Sequence, residues 1–283
     1  MKKIVLIPVV IVLATISLNA QRINNSGNAS LSDRNGVASF TTFNNGGDSY
    51  TTYNEEYKPK RNLIKLNLTG LPLRNYSVQY ERVLSKRLSI ALSYRNMPEG
   101  NLPMKDFIIE NIDDPDQEAI DVINSFTISN YAITPEIRLY LGKKGYGRGF
   151  YIAPFYRSAS YSGGNMIFHY QDDNNVDQSV TLSGDIKSQT FGLMFGAQWS
   201  LSRFLVLDWW IVGPHAGNGK GDLVGTSSQT MNADQQEELR QNLEDFEIPM
   251  VKKTVSVNAN GATMSVDGAW AGVRAGISLG IKF

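Results

Sequence analysis

The chain has 283 residues, with 27 lysines and arginines against 27 aspartates and glutamates, two histidines and no cysteine. Balanced charge argues against a nucleic-acid binder, and the missing cysteine removes disulfides, thiolate catalysis and a lipoprotein anchor. The length suits one large domain or two small ones.

The chain opens with Lys2 and Lys3, an apolar run from Ile4 to Ala14, and a cleavage point before Gln21. Residues 1–20 therefore read as a secretory signal peptide. Residues 21–60 are dominated by Asn, Ser, Gly and Thr, as in Asn24-Asn25-Ser26-Gly27 and Asn44-Asn45-Gly46-Gly47. Such a composition cannot bury enough surface to offset ordering, so a flexible periplasmic segment is expected. The later stretch 204–213 is too short for a spanning helix and is broken by Asp208. Any membrane crossing by residues 61–283 must therefore use strands.

From Arg61 the hydrophobic period becomes two. The first strand is predicted over Asn62–Leu71, with Ile64, Leu66 and Leu68 on one face and Lys65, Asn67 and Thr69 on the other. The second, Tyr76–Leu84, sets Tyr76, Val78 and Tyr80 against Ser77, Gln79 and Glu81. The third, Arg87–Arg95, opposes Leu88, Ile90, Leu92 and Tyr94 to Ser89, Ala91, Ser93 and Arg95. In the fourth, Asn130–Leu141, Ile133, Pro135, Ile137 and Leu139 oppose Thr134, Glu136, Arg138 and Tyr140. The fifth begins at Phe150 and is expected to reach Tyr170 with bends at Pro154 and Gly163-Gly164; the pattern leaves its facing open.

The sixth strand, about Gln178 to Leu201, places Phe191, Leu193, Phe195, Ala197 and Trp199 outward and Thr190, Gly192, Met194, Gly196 and Gln198 inward. The seventh, Phe204–Pro214, turns Leu205, Leu207, Trp209 and Ile211 outward and Asp208 inward. The eighth, Gly268–Phe283, alternates Ala269, Ala271, Val273, Ala275, Ile277, Leu279, Ile281 and Phe283 with Gly272, Arg274, Gly276, Ser278, Gly280 and Lys282. Apolar outward faces fit lipid, whereas a water-soluble barrel would make them polar. The predicted class is all-β: an eight-stranded antiparallel transmembrane up-and-down β-barrel with long extracellular loops containing short helices. Short basic turns follow strands two, four and six (Lys86, Arg87; Lys143, Lys144, Arg148; Arg203) and long loops follow three and seven, as in barrels with both termini in the periplasm.

Within the long loops, Asp114-Pro115 with Gln117 reads as a helix start, and Asn232 with Gln235 as a capping box for a second helix bearing Leu239, Leu243 and Phe246, closed by Pro249. Alternation from Val255 to Val266 around Asn260-Gly261 signals a hairpin that carries the last strands above the membrane.

The segments N-L-I-K-L-N-L-T-G-L-P-L-R-N-Y-S-V-Q-Y-E-R (Asn62–Arg82) and G-F-Y-I-A-P-F-Y-R (Gly149–Arg157) resemble small outer-membrane barrels of Bacteroidetes that carry a domain of unassigned function, similar in architecture to OmpA, OmpX and OmpW barrels. The closing S-L-G-I-K-F resembles their C-terminal assembly signal, with Ser278, Gly280 and Phe283 at its marker positions. The resemblance implies the outer membrane of a Gram-negative bacterium, lipid and the barrel-assembly machinery as partners, a monomer, and no catalytic motif or cofactor.

The inward face carries Lys65, Glu81, Arg95, Glu136, Arg138, Asp208, Arg274 and Lys282, read as an ion-pair network that plugs a lumen only wide enough for side chains. The glycines at 192, 196, 272 and 276 are expected to leave room for the long cationic arms. A gated polar path is the competing reading. Eight acids between Glu99 and Asp121 could hold divalent cations or merely complement a helix start. Enzymatic readings rest on His169 and His215, with Ser160, Ser162 and Asp208 as partners only if curvature brings them close. No catalytic or metal-binding motif is present, so the expected role is a non-catalytic barrel that binds through its loops, with an OmpW-like conduit for small or apolar solutes as the alternative and a lipid A-modifying barrel enzyme as a remote one.

Overall fold

The computed structural model describes residues 60–112, 117–143, 145–171, 177–245 and 250–283. The expected signal peptide and all but the last residue of the 21–60 segment lie outside these. Eight strands close a ring: β1 (Asn62–Asn67), β2 (Tyr76–Val83), β3 (Leu88–Asn101), β4 (Thr127–Tyr140), β5 (Gly149–Gln171), β6 (Asp177–Ser200), β7 (Leu205–Ser227) and β9 (Gly261–Lys282). Each is antiparallel to its neighbours, and β1 pairs back on β9 from Leu63↔Lys282 to Asn67↔Ser278. A further strand, β8 (Val251–Asn258), stands outside the ring as the hairpin partner of the first part of β9, turning at Ala259-Asn260, one residue before the predicted Asn260-Gly261. No described helix is long and apolar enough to cross a membrane.

The alternation that the sequence shows becomes the wall. Ile64, Leu66, Val78, Ile90, Leu92, Ile133, Ile137, Leu193 and Ile281 point out and are exposed, while Lys65, Gln79, Glu81, Thr134, Glu136, Arg138 and Asp208 are buried inside. Exposed aromatics mark the outer face at two levels, Tyr76, Tyr94 and Tyr131 toward the long loops and Phe150, Phe204, Trp209 and Phe283 toward the short turns, the double girdle of a lipid-facing band. Ala197 lies in register between Phe150 and Trp209 and is buried.

Several strand bounds differ from the expected ones, each for a local reason. β1 stops at Asn67 rather than Leu71, because Asn67 Oδ1 accepts from the Gly70 amide and the Thr69 hydroxyl, both at 2.9 Å, and turns the chain into a short 3-10 turn at Leu71–Leu73. β3 runs on to Asn101 through a bulge between Met97 and Gly100, and β9 begins at Gly261 rather than Gly268. β7 continues to Ser227 and carries one extra residue between Trp210 and Gly213 relative to both neighbours. That bulge reverses the facing beyond it, so Val212 and Pro214 point out and His215 turns into the lumen.

The barrel is lopsided. A strand crosses a bilayer in roughly 9–11 residues when tilted about 45°. β5, β6, β7 and β9, at 23, 24, 23 and 22 residues, exceed this while β1 and β2 have 6 and 8. A surplus of about 12 residues at about 3.3 Å each and that tilt raises one wall roughly 28 Å above the bilayer.

Among the described residues three helices decorate the long loops: α1 (Lys105–Glu110), which the sequence pattern does not signal, α2 (Gln117–Ser125) and α3 (Ala233–Asp245). Lys105 donates to Asn124 at 3.0 Å and ties α1 to α2, and both helices press Ile108, Val122 and Ile123 onto Met97, Leu102, Phe126, Ile128 and Met166. α3 starts with the predicted capping box, the Asn232 amide donating to Gln235 Oε1 at 3.0 Å and the Gln235 amide to Asn232 Oδ1 at 2.9 Å. Asp114, Pro115, Phe246 and Pro249 lie outside the described residues.

Candidate functional site

The lower half of the lumen is filled by a charged knot. Lys65 on β1 donates to Glu81 at 2.5 Å, Asp208 at 2.6 Å and Gln198 at 2.7 Å. Arg138 on β4 sits at the centre: Nη1 meets Asp208 at 2.6 Å and Glu81 at 3.2 Å, Nε meets Glu136 at 2.7 Å, and Nη2 donates to Gln79 at 2.8 Å as well as pairing with Glu136. Its guanidinium also lies 4.4 Å from the centre of the Tyr151 ring.

Neutral donors satisfy what the cations leave. Ser89 and Tyr140 donate to Glu81 Oε1 at 2.6 and 2.7 Å, Tyr151 to Asp208 Oδ1 at 2.8 Å, and Trp210 Nε1 to Asp208 Oδ2 at 3.2 Å. Gln79 bridges Ser93 and Glu136, each at 2.8 Å. Every carboxylate thus meets both a cation and a neutral donor, the condition under which buried charges persist in a dry lumen.

Beneath the knot the barrel end is closed. Leu63, Val83 and Val206 form a buried apolar floor with Tyr146 packed against it. Tyr146 belongs to the β4–β5 turn, where Gly145, Tyr146 and Gly147 all have positive φ (64°, 51° and 73°) and fold the turn under the opening. Its amide donates to Lys86 O at 2.9 Å in the β2–β3 turn, and Gly147 O accepts from Gln198 at 2.7 Å. Gly147 cannot carry a side chain without strain, since a Cβ would stand 3.1 Å from Val83 and 3.2 Å from Gln198 in a left-handed backbone.

Of the eight predicted network residues, Lys65, Glu81, Glu136, Arg138 and Asp208 meet in the knot, and Arg274 touches its edge at 3.5 Å from Glu136 while stacking over Phe155 and Trp210. Arg95 and Lys282 do not join. Arg95 stands higher in the barrel, away from any carboxylate among the described residues, and Lys282 donates to the Tyr146 carbonyl at 3.1 Å at the opposite end. Pointing inward is therefore not enough; height along the tilted strand decides which charges meet.

The pattern also missed members. Gln79, Gln198, Ser89 and Tyr140 sit at alternate positions on the polar faces it named, whereas Tyr151 and Arg157 lie on the strand whose facing it left open. Glycines 192, 196 and 272 accommodate the rings of Phe155, Tyr151 and His215 and glycine 276 the Asn67 and Thr69 side chains, rather than cationic arms; Gly280 alone lies against Lys65.

The remaining candidates do not assemble. Asp208 is held within the knot, Ser162 bonds Asp185, and His215 Nδ1 has no partner, its ring lying edge-on to Phe155. The side chain of His169 lies outside the described residues. Among the described residues no group of three or more Asp, Glu or His side chains is arranged to hold a metal ion, and Asp113, Asp114 and Asp116 fall outside them. At the C-terminus, Ser278 and Gly280 are buried in the lumen wall. Phe283 is exposed, and its amide and carbonyl exchange hydrogen bonds with Asn62 at 2.9 and 3.0 Å, closing the ring.

No family model matches the chain, and no curated protein does. Among solved structures it is similar to CarO of Acinetobacter baumannii, with 13% identity over 76% of this chain and 100% of CarO and a TM-score of 0.32. So distant a likeness carries no argument, and the architecture rests on the closed ring of strands itself.

Proposed function

We propose that the protein is a plugged outer-membrane barrel without catalytic activity, whose work is done by the tall wall above the bilayer as a surface for binding envelope or external components. The observation that carries this reading is the sealed lumen beneath a one-sided extension: the knot around Arg138 and the Tyr146 floor leave little passage, while β5, β6, β7 and β9 invest their surplus length outside the membrane. The aromatic levels, the exposed apolar band and the resemblance of Asn62–Arg82 to Bacteroidetes outer-membrane barrels support the location. An OmpW-like route for apolar solutes is disfavoured by the arginines that line the lumen above the knot.

The chain lacks cysteine, so single cysteines report topology cleanly. On intact cells a membrane-impermeant maleimide should label Ser256→Cys on β8 and not Ser85→Cys in the β2–β3 turn; the reverse pattern overturns the orientation. For the role, the Ser227 amide already bonds Asn260 O at 2.9 Å, so residues 228–259 can be replaced by a two-residue link without opening the ring. Cells carrying that shortened chain should match cells lacking the protein. Wild-type behaviour from the shortened chain would refute a role for α3 and β8, the part of the extension that stands outside the ring.

A further inference from the structure

Above the knot the lumen opens into a cavity of about 130 Å³. Three guanidiniums line it, Arg95 from β3, Arg157 from β5 and Arg274 from β9, and no aspartate or glutamate does. Arg157 and Arg274 are only 4% and 8% exposed. Their partners are few. Arg157 donates to the Thr134 hydroxyl at 3.3 Å, Arg274 reaches Glu136 at 3.5 Å, and the buried Nε of Arg95 has no partner. Tyr161 sits against Arg95 and Arg157.

The charges do not balance without a guest. In the knot two cations, Lys65 and Arg138, face three carboxylates, Glu81, Glu136 and Asp208, and Arg274 supplies the third positive charge. Arg95 and Arg157 then remain without a counter-charge among the described residues. Met97 and Ile128 line the same cavity as part of the apolar cluster under α1 and α2, beside Arg157, which is buried, and Arg95, which is half-buried. Isolated charges in such surroundings are strongly disfavoured unless paired.

We propose that this cavity is an oxyanion site, taking a carboxylate or phosphate group between Arg95, Arg157 and Arg274. The planar fork of arginine fits both groups with paired hydrogen bonds. His215 Nδ1 is a further unpartnered group on the wall, and it donates to an anion when protonated there. The unpartnered Oδ1 atoms of Asn75 and Asn130 oppose an anion as placed, and a half-turn of each amide presents NH₂ instead. Gly70, Leu73 and Asn75 of the short β1–β2 connection line the cavity, on the side away from the tall wall.

The test uses the folded full chain in zwitterionic detergent, titrated with sodium phosphate or sodium acetate against sodium chloride of equal ionic strength, following the temperature at which the compact gel band is lost. Phosphate or acetate should raise that temperature saturably. Arg95→Gln or Arg157→Gln should weaken the apparent affinity at least tenfold, and the double variant should abolish the shift. Because each change removes an unbalanced charge, the variants should be no less stable than wild type without added anion. Arg95→Lys, which keeps charge but loses the fork, should weaken phosphate protection less than Arg95→Gln. Repeating the titration in phosphatidylcholine nanodiscs with and without phosphatidic acid separates free phosphate from a lipid headgroup, and protection from either source supports the site. No saturable protection by any of these anions, or protection that survives the double variant, overturns the proposal.

Discussion

Replacing Arg138 by methionine removes the one side chain that meets all three carboxylates of the knot, together with the guanidinium that stacks on Tyr151, while leaving an unbranched apolar side chain in its place. Lys65 still neutralises Glu81 and Asp208, but Glu136 keeps only Gln79 at 2.8 Å and a long 3.5 Å approach from Arg274. Breaking a buried ion pair by deleting one partner costs about 3–5 kcal/mol, and the lost stacking on Tyr151 adds to this, so a loss near the upper end is expected. Urea unfolding in detergent, read through the fluorescence of the four tryptophans, among them Trp210, whose indole donates to Asp208, measures the loss. Adding Glu136→Gln should restore part of it, because the stranded carboxylate is what makes the single change expensive. An Arg138→Met barrel within about 1 kcal/mol of wild type, with no recovery in the double variant, would refute the argument that the knot is a coupled network.

Other outcomes follow from single contacts. Arg274→Ala should cost less than Arg138→Met in the same assay, since Glu136 retains Arg138 and Gln79. Gly147→Ala should destabilise by about 1–2 kcal/mol from its left-handed backbone alone, before any crowding of Val83, and the same urea titration measures it. Asn232→Ala should lose about 1 kcal/mol of helix capping and hasten protease cutting within α3 while leaving the ring intact. Phe283→Ala should lower the amount of inserted barrel in cells and leave exported protein in the periplasm; normal surface levels would contradict its role in assembly.

Much of the wall was legible in the sequence because lipid on one side and side chains on the other enforce strict alternation, and β2, β4 and the last strand show it without interruption. The knot was half legible. Alternation marks Lys65, Glu81, Glu136, Arg138 and Asp208 as inward, yet it carries no information about height, so it groups Arg95 and Lys282 with charges they do not meet. The single extra residue in β7 hid the inward turn of His215, since a bulge leaves no mark in a pattern read two residues at a time. Tyr151 and Arg157 were lost in β5, where Pro154 and the Gly163-Gly164 pair mask the period. α1 escaped because six residues, Lys-Asp-Phe-Ile-Ile-Glu, are too short to display a helical stripe and start without a side-chain cap.

Planar-bilayer recording of the refolded full chain tests the sealed lumen most directly. Wild type should insert without conductance steps across the usual voltages. Arg138→Met with Gly147→Ala, which loosens both knot and floor, should show flickering openings. Steady, reproducible conductance steps from the wild-type chain would contradict a plugged barrel and return the lumen to the role of a path.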